Sequence, residues 1–446
     1  AGSAQIEIEL PQKLTGERIT LLYPLSLISR QDARVFLAEQ EAALAWVEGR
    51  LGLEYEGRLE IRIESDWFSY FSATANRFAN RIIYIYESYP LYRLNTLEKT
   101  PVHELVHVVT VKGWGLSAPF LMEGIAVAID ADYRGLLSPF LVSLGLLRRG
   151  DLPFLDIREK GFRWLDYYPA GSFTLSVLRE HGLDRFGEFY RMVGKRFIQL
   201  WDWARRSYPR PEEFAQRAAK FEQQIEAGAE EIFGKGLNEL RAAWESSLAS
   251  PELEEQAEYA LQALEGWDGA WKLRVQLGGL AQIGLLGPVP QKLGELRETM
   301  VAALRRLLND LAPETAGEEF ADFQVILQAY KLLLDHWWAA ASSFMDVKGM
   351  IYYGTAGHDP ILTELWRALA LYSQVEDTAM VDKVERYIEA FELLREGERL
   401  IKGPQCERGL ELLREAEALF RELGEPIMVL RVGELIRARP TCYQPA

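Results

Sequence analysis

Three residues of this chain have the types and spacing to do chemistry together: His103, Glu104 and His107, in the run Thr100-Pro-Val-His-Glu-Leu-Val-His-Val-Val-Thr110. The apolar residues around them suit a buried helix. On such a helix, residues four apart lie one turn along and close together around the axis, so both imidazoles project from one face and can grip one metal ion. Glu104 sits between them in sequence, where a carboxylate can take a proton from a water that the metal has made acidic. The chain has only five histidines, at 103, 107, 181, 336 and 358, so two of them flanking a Glu in this pattern is poorly explained by composition.

Two histidines fall short of the three protein ligands usual for a catalytic zinc. Downstream comes Ser117-Ala-Pro-Phe-Leu-Met-Glu123-Gly-Ile-Ala-Val-Ala-Ile-Asp130. Ser117 or Ala118 is placed to cap a helix and Pro119 to start it, which puts Glu123 about one turn in.

The combination His103-Glu104-x-x-His107 with Pro119-Phe-Leu-Met-Glu123-Gly-Ile-Ala126 resembles the gluzincins, zinc peptidases whose third ligand is a Glu on the next helix, and within them the bacterial peptidase MA-like group. The likeness covers roughly the first 250 residues. It takes in Tyr168-Pro-Ala-Gly-Ser-Phe173 with its following helix, and Phe233-Gly-Lys-Gly-Leu-Asn-Glu-Leu-Arg-Ala-Ala-Trp244. The resemblance implies one zinc per chain held by His103, His107 and Glu123, with Glu104 as general base. It also implies Tyr168 as a donor to the tetrahedral intermediate, with Tyr167 its nearest rival. The strand before the motif helix, with Arg81, Ile82, Ile83 and Tyr84, would then lie at a sheet edge and pair with an extended substrate. One departure is Val127, where the thermolysin-like branch has an Asp four residues after the ligand Glu. Asp130, Asp132 and Thr110 are the candidates for orienting the histidines instead.

Apolar-polar alternation predicts strands at Ile6–Leu10, Ile19–Tyr23, Leu59–Glu64 and Asn80–Tyr86. A helix is predicted over Gln31–Leu51, short helices over Leu136–Trp164, and two helices parted by Gly182 over Ser172–Phe197. After Ser250-Pro251 only helical spacing remains. The expected architecture is an α+β, zincin-like (thermolysin-like) catalytic domain over 1–250 followed by an all-α bundle or solenoid-like domain over 251–446. A tetratricopeptide-like segment at Gly409–Phe420 lacks a steady period.

At 446 residues, with 48% apolar and 26% charged residues, the chain reads as at least two folded domains. A net charge of −16 argues against nucleic acid as a partner, and the pairs Arg148-Arg149 and Arg205-Arg206 read as solvated helix ends. No apolar run is long enough for a transmembrane segment. The opening Ala1-Gly-Ser-Ala fits a mature secreted or membrane-anchored protein whose N-terminal segment has been removed, or a cloning scar, with a cytoplasmic site left open. Cys406 and Cys442 allow one disulfide in an oxidising compartment, or two free thiols.

The sequence therefore predicts a zinc metallopeptidase acting on a peptide or protein substrate. The alternative from another class is a catalytically silent binding or scaffold protein that acts through its helical domain.

Overall fold

A computed structural model describes residues 11–65, 73–76, 80–85, 102–154, 164–310, 313–354 and 356–438. The chain separates into two compact units, which over the described residues comprise 11–266 with 301–324, and 267–300 with 325–438.

The first unit holds five short strands: β1 (Gln12–Thr15), β2 (Ile19–Tyr23), β3 (Leu59–Glu64), β4 (Ala73–Asn76) and β5 (Arg81–Ile85). They form one sheet in the order β1-β2-β3-β5-β4. β2, β3 and β5 run parallel, while β1 and β4 flank them antiparallel. In β3 the predicted alternation is an alternation of depth, with Leu59 and Ile61 fully buried, whereas β2 is buried along most of its length, Thr20 included.

The remaining regular structure among the described residues is helical. The α-helices are α1 (Arg30–Leu51), α2 (His103–Gly113), α3 (Pro119–Arg134), α4 (Ser138–Arg149), α5 (Tyr167–Ser207), α6 (Pro211–Phe233), α7 (Leu237–Ser247), α8 (Glu254–Gln282), α9 (Gln291–Arg305), α10 (Ala316–Tyr353), α11 (His358–Gln374), α12 (Thr378–Leu400), α13 (Cys406–Glu422) and α14 (Pro426–Ala438). The expected α+β zincin-like catalytic domain is thereby corrected. The described residues are 78% helical and only 5% strand, so the class is mostly helical. The strand signals are few and short, whereas a three-to-four apolar spacing runs through most of the chain, so helix dominates. As predicted, Gly182 (φ 82°, ψ 167°) parts two helices, which meet there across a kink within the 41 residues of α5. The strand predicted at Ile6–Leu10 and the end of the one at Asn80–Tyr86 lie outside the described residues.

The predicted peptide-binding edge is also corrected. β5 pairs with β3 through Glu60↔Arg81 to Glu64↔Ile85, and with β4 through Ala73↔Tyr84 to Asn76↔Arg81, so both of its edges are occupied. Its side chains are committed as well: Arg81 pairs with Glu60 at 2.6 Å, Ile82 is fully buried, and buried Tyr84 packs edge-on against Phe36 of α1. Ile83 is half-buried. β4 is the outer strand on that side, and α2 packs beside it.

In the second unit, α12 and α13 approach closely where two glycines face each other. A Cβ on Gly397 would come 3.1 Å from the Gly409 carbonyl oxygen, and one on Gly409 would come 2.7 Å from the Ile401 nitrogen. Asp377 caps α12 through the Met380 amide and accepts the indole N–H of buried Trp337 at 2.9 Å. Cys406 is disulfide-bonded, and Cys442 lies outside the described residues.

Candidate metal centre

α2 is buried nearly all round: Leu105, Val106, Val108 and Val109 are at most 1% exposed. A helix so enclosed must have its polar groups met by protein. Its N-terminus has no side-chain cap of its own, and the Val102 amide instead donates to Asp130 of α3 at 2.8 Å. α3 begins as its sequence predicts, with Ala118 as cap residue and Pro119 in the first turn, and it ends on left-handed Gly135.

Gly124 and Gly171 let α3 meet the start of α5. A Cβ on Gly124 would come 2.7 Å from the Ala170 carbonyl oxygen, and one on Gly171 would come 2.3 Å from Val127 Cγ1. Val127, the position of the thermolysin-like Asp, is thus a packing residue. Behind this contact Phe120, Phe173 and Trp244 pack ring against ring, with centroids 5.6–5.9 Å apart. The Trp244 indole donates to Ser172 Oγ at 3.1 Å, which ties α7 to α5.

These contacts bring His103, His107 and Glu123 together. His107 Nε2 lies 3.1 Å from His103 Nε2 and 2.9 Å from Glu123 Oε2, and His103 Nε2 lies 3.2 Å from the same oxygen. The group could hold a metal ion. The fit is quantitative: ligands at zinc distances of about 2.0–2.1 Å from a tetrahedral ion stand roughly 3.3 Å apart, close to the observed triangle. Two nitrogens and a carboxylate oxygen are also the donor types that zinc and its neighbours in the first transition row accept.

Electrostatics point the same way. Burial opposes a charge on His103, but the hydrogen bond to Glu123 and the charges of Glu104, Glu123 and Asp130 outweigh it and raise its pKa to about 9. Burial alone would raise the Glu123 pKa. The His107 charge and the hydrogen bonds from both histidines overcome it, and the carboxyl titrates well below its usual range. His107 Nδ1 is buried, and no described residue hydrogen-bonds it.

Glu104 is 9% exposed, and its charge acts on His103. Among the described residues nothing hydrogen-bonds or ion-pairs with its carboxylate. Tyr167 and Tyr168 open α5 and diverge. The Tyr167 ring stacks on His103, with centroids 6.1 Å apart and planes 26° from parallel. Tyr168 is half-buried, and burial pushes its phenol up to about 12 against the opposing charge of Arg134.

Of the three candidates for orienting the histidines, Asp132 pairs with Arg50 at 2.8 Å on the surface. Thr110 Oγ1 donates to the Val106 carbonyl at 2.7 Å. Thr110 Oγ1 also reaches the His107 carbonyl at 3.3 Å within its own helix, whereas Asp130 ties α3 to the start of α2 through the backbone of Val102. The sequence reading did not anticipate that bond, whose only signal was an acid on α3 beyond Glu123. His181 stays at the Gly182 break beside Phe233, outside the metal group.

The chain matches no family model, no curated protein and no solved structure.

Proposed function

We propose that this chain is a zinc-dependent hydrolase of peptide bonds, with His103, His107 and Glu123 as the metal ligands and Glu104 as the general base. The observation that carries the reading is a carboxylate that no described residue hydrogen-bonds or ion-pairs, beside three side chains that could hold a metal ion. Buried carboxylates are ordinarily hydrogen-bonded, and one held free next to a metal site is available to a water. When bound, zinc would polarise the scissile carbonyl and acidify an attacking water. Glu104 takes the proton of that water and returns it to the leaving amine, and Tyr167 or Tyr168 donates a hydrogen bond to the oxyanion. With β5 paired on both sides, the strand beside α2 that has an edge to offer an extended peptide is β4. The resemblance of the two motif segments to gluzincin peptidases supports this reading at the level of the motif and not of the fold.

Metal analysis of the purified protein, followed by digestion of unfolded casein with and without a chelator, tests it. Glu104→Gln should leave about one zinc per chain and remove nearly all hydrolysis, because the amide cannot act as a base but leaves the ligands in place. Glu123→Ala should lose zinc under gentle dialysis. Bound zinc without turnover by the parent protein would favour the scaffold reading, and full metal retention by Glu123→Ala would place the third ligand elsewhere.

A further inference from the structure

The second half of α5 carries a face that neither the metal centre nor the core uses. Between Arg191 and Tyr208 there are five basic residues (Arg191, Lys195, Arg196, Arg205 and Arg206) and one acidic residue, Asp202, in a chain whose net charge is −16. Residues 191, 195, 198, 201 and 205 recur at intervals of three and four and so share one face of the helix. Arg191, Lys195 and Arg205 are exposed, and among the described residues none of them is ion-paired. Between them stand Ile198 at 39% and Trp201 at 60% exposure, and Tyr208, which ends the helix in a left-handed turn, is 88% exposed.

Each half of this pattern is unusual alone, and together they specify a partner. Many arginines elsewhere in this acidic chain are paired with carboxylates, so three cations on one face that no described residue pairs leave a local positive field. An isoleucine and a tryptophan lying in that field, rather than in the core, match a surface that is anionic outside and apolar just beneath. Cations flanking an apolar centre over about 20 Å of helix fit the headgroup region of a bilayer. There the arginine and lysine heads meet lipid phosphates, while Trp201 and Ile198 reach the acyl boundary and Tyr208 sits at the interface. Nucleic acid makes no use of an exposed isoleucine between the cations, since its bases stack on aromatic rings.

We propose that this face of α5 docks the protein on an anionic lipid bilayer. It lies in the plane of the surface and needs no membrane-crossing helix, in keeping with the finding that no described helix is long and apolar enough to span a bilayer.

The test is co-sedimentation of the intact chain with phosphatidylcholine vesicles, with and without about one-third phosphatidylglycerol, at low and high salt. The parent protein should pellet with the anionic vesicles alone and be released by salt. In Arg191→Gln/Lys195→Gln/Arg205→Gln, partitioning should fall about fivefold per cation removed, roughly a hundredfold in total. Trp201→Ser should weaken binding at physiological salt while keeping its salt dependence. Circular dichroism and the unfolding midpoint establish that both variants fold. Equal pelleting with neutral vesicles, or a folded triple variant that binds like the parent, would overturn the proposal. So would binding to inorganic polyphosphate or duplex DNA as tight as to vesicles and indifferent to Trp201→Ser, which would make the face a polyanion site.

Discussion

The Asp130 carboxylate accepts the Val102 amide at 2.8 Å, joining α3 to the first turn of α2 one residue before His103. The same carboxylate pairs with Arg134 one turn along α3. The two ligand-bearing helices are thus fixed to each other by a bond that touches no ligand atom, and its charge still acts on His103. Asp130→Ala leaves a buried N–H without a partner, at a cost of about 1–3 kcal/mol, and should weaken metal binding as α2 shifts against Glu123. Asp130→Asn keeps an acceptor and should recover most of the stability. Denaturant midpoints and metal affinity, measured on both variants, check this; an alanine variant with parent affinity would refute the coupling.

The His103–Glu123 pair gives the metal-free protein a pH signature. His103 is raised from 6.5 to about 9, so its contribution to stability is complete below about 6.5 and is lost as pH rises through about 9. Glu123 is lowered from 4.5, so its contribution is present above about 4.5 and is lost as pH falls towards its folded value. Metal-free stability from the pair should therefore plateau between about 4.5 and 6.5 and decline above. Metal binding should run the other way, because the ligand must be neutral. Affinity should rise about tenfold per pH unit from 7 to 9 and then level, with about one proton released per metal at pH 7. Unfolding curves across pH, and calorimetry in two buffers of different ionisation enthalpy, measure both trends.

Gly171 is the contact point between α5 and Val127 of α3, and a methyl group there would stand 2.3 Å from Val127 Cγ1. Gly171→Ala should destabilise the protein by about 1–3 kcal/mol through overpacking. The double variant Gly171→Ala/Val127→Ala should recover part of that loss, because it removes the opposing methyls. Non-additive unfolding free energies would establish the contact, and additive ones would dismiss it.

The site was more legible in the sequence than the fold, for a physical reason. Helical spacing fixes which side chains share a face, so His103 and His107 could be paired from their four-residue separation. Pro119 marked the start of α3 closely enough to place Glu123 on the facing turn. Alternation identified β2 and β3 as strands but carries no information on their order in a sheet, so nothing in Arg81–Tyr84 could reveal that β4 folds back to cover β5. The stop at Gly182 was legible because a glycine can leave helical geometry at little cost, and two helices do meet there across a kink (φ 82°, ψ 167°). The Asp130 bond was hidden because it spans 28 residues and ends on a backbone amide, which no side-chain pattern encodes.

The two tyrosines that open α5 differ by about 100° in direction, which a motif cannot resolve and a structure can. Tyr167 stacks on His103 beside the ligand triangle, while Tyr168 is half-buried within reach of the Arg134 charge. If the oxyanion donor is the ring nearest the ligands, Tyr167→Phe should lower kcat on the order of a hundredfold with little change in KM, since the bond forms only as charge develops. Phenylalanine keeps the stacking on His103, so metal content should stay at parent level. Tyr168→Phe removes a phenol raised to about 12 by burial and should chiefly affect stability, by about 1 kcal/mol. Steady-state kinetics with metal content measured on the same preparations separate the two. A large kcat loss in Tyr168→Phe alone would return the role to Tyr168, and unchanged turnover in both variants would remove tyrosine from the chemistry.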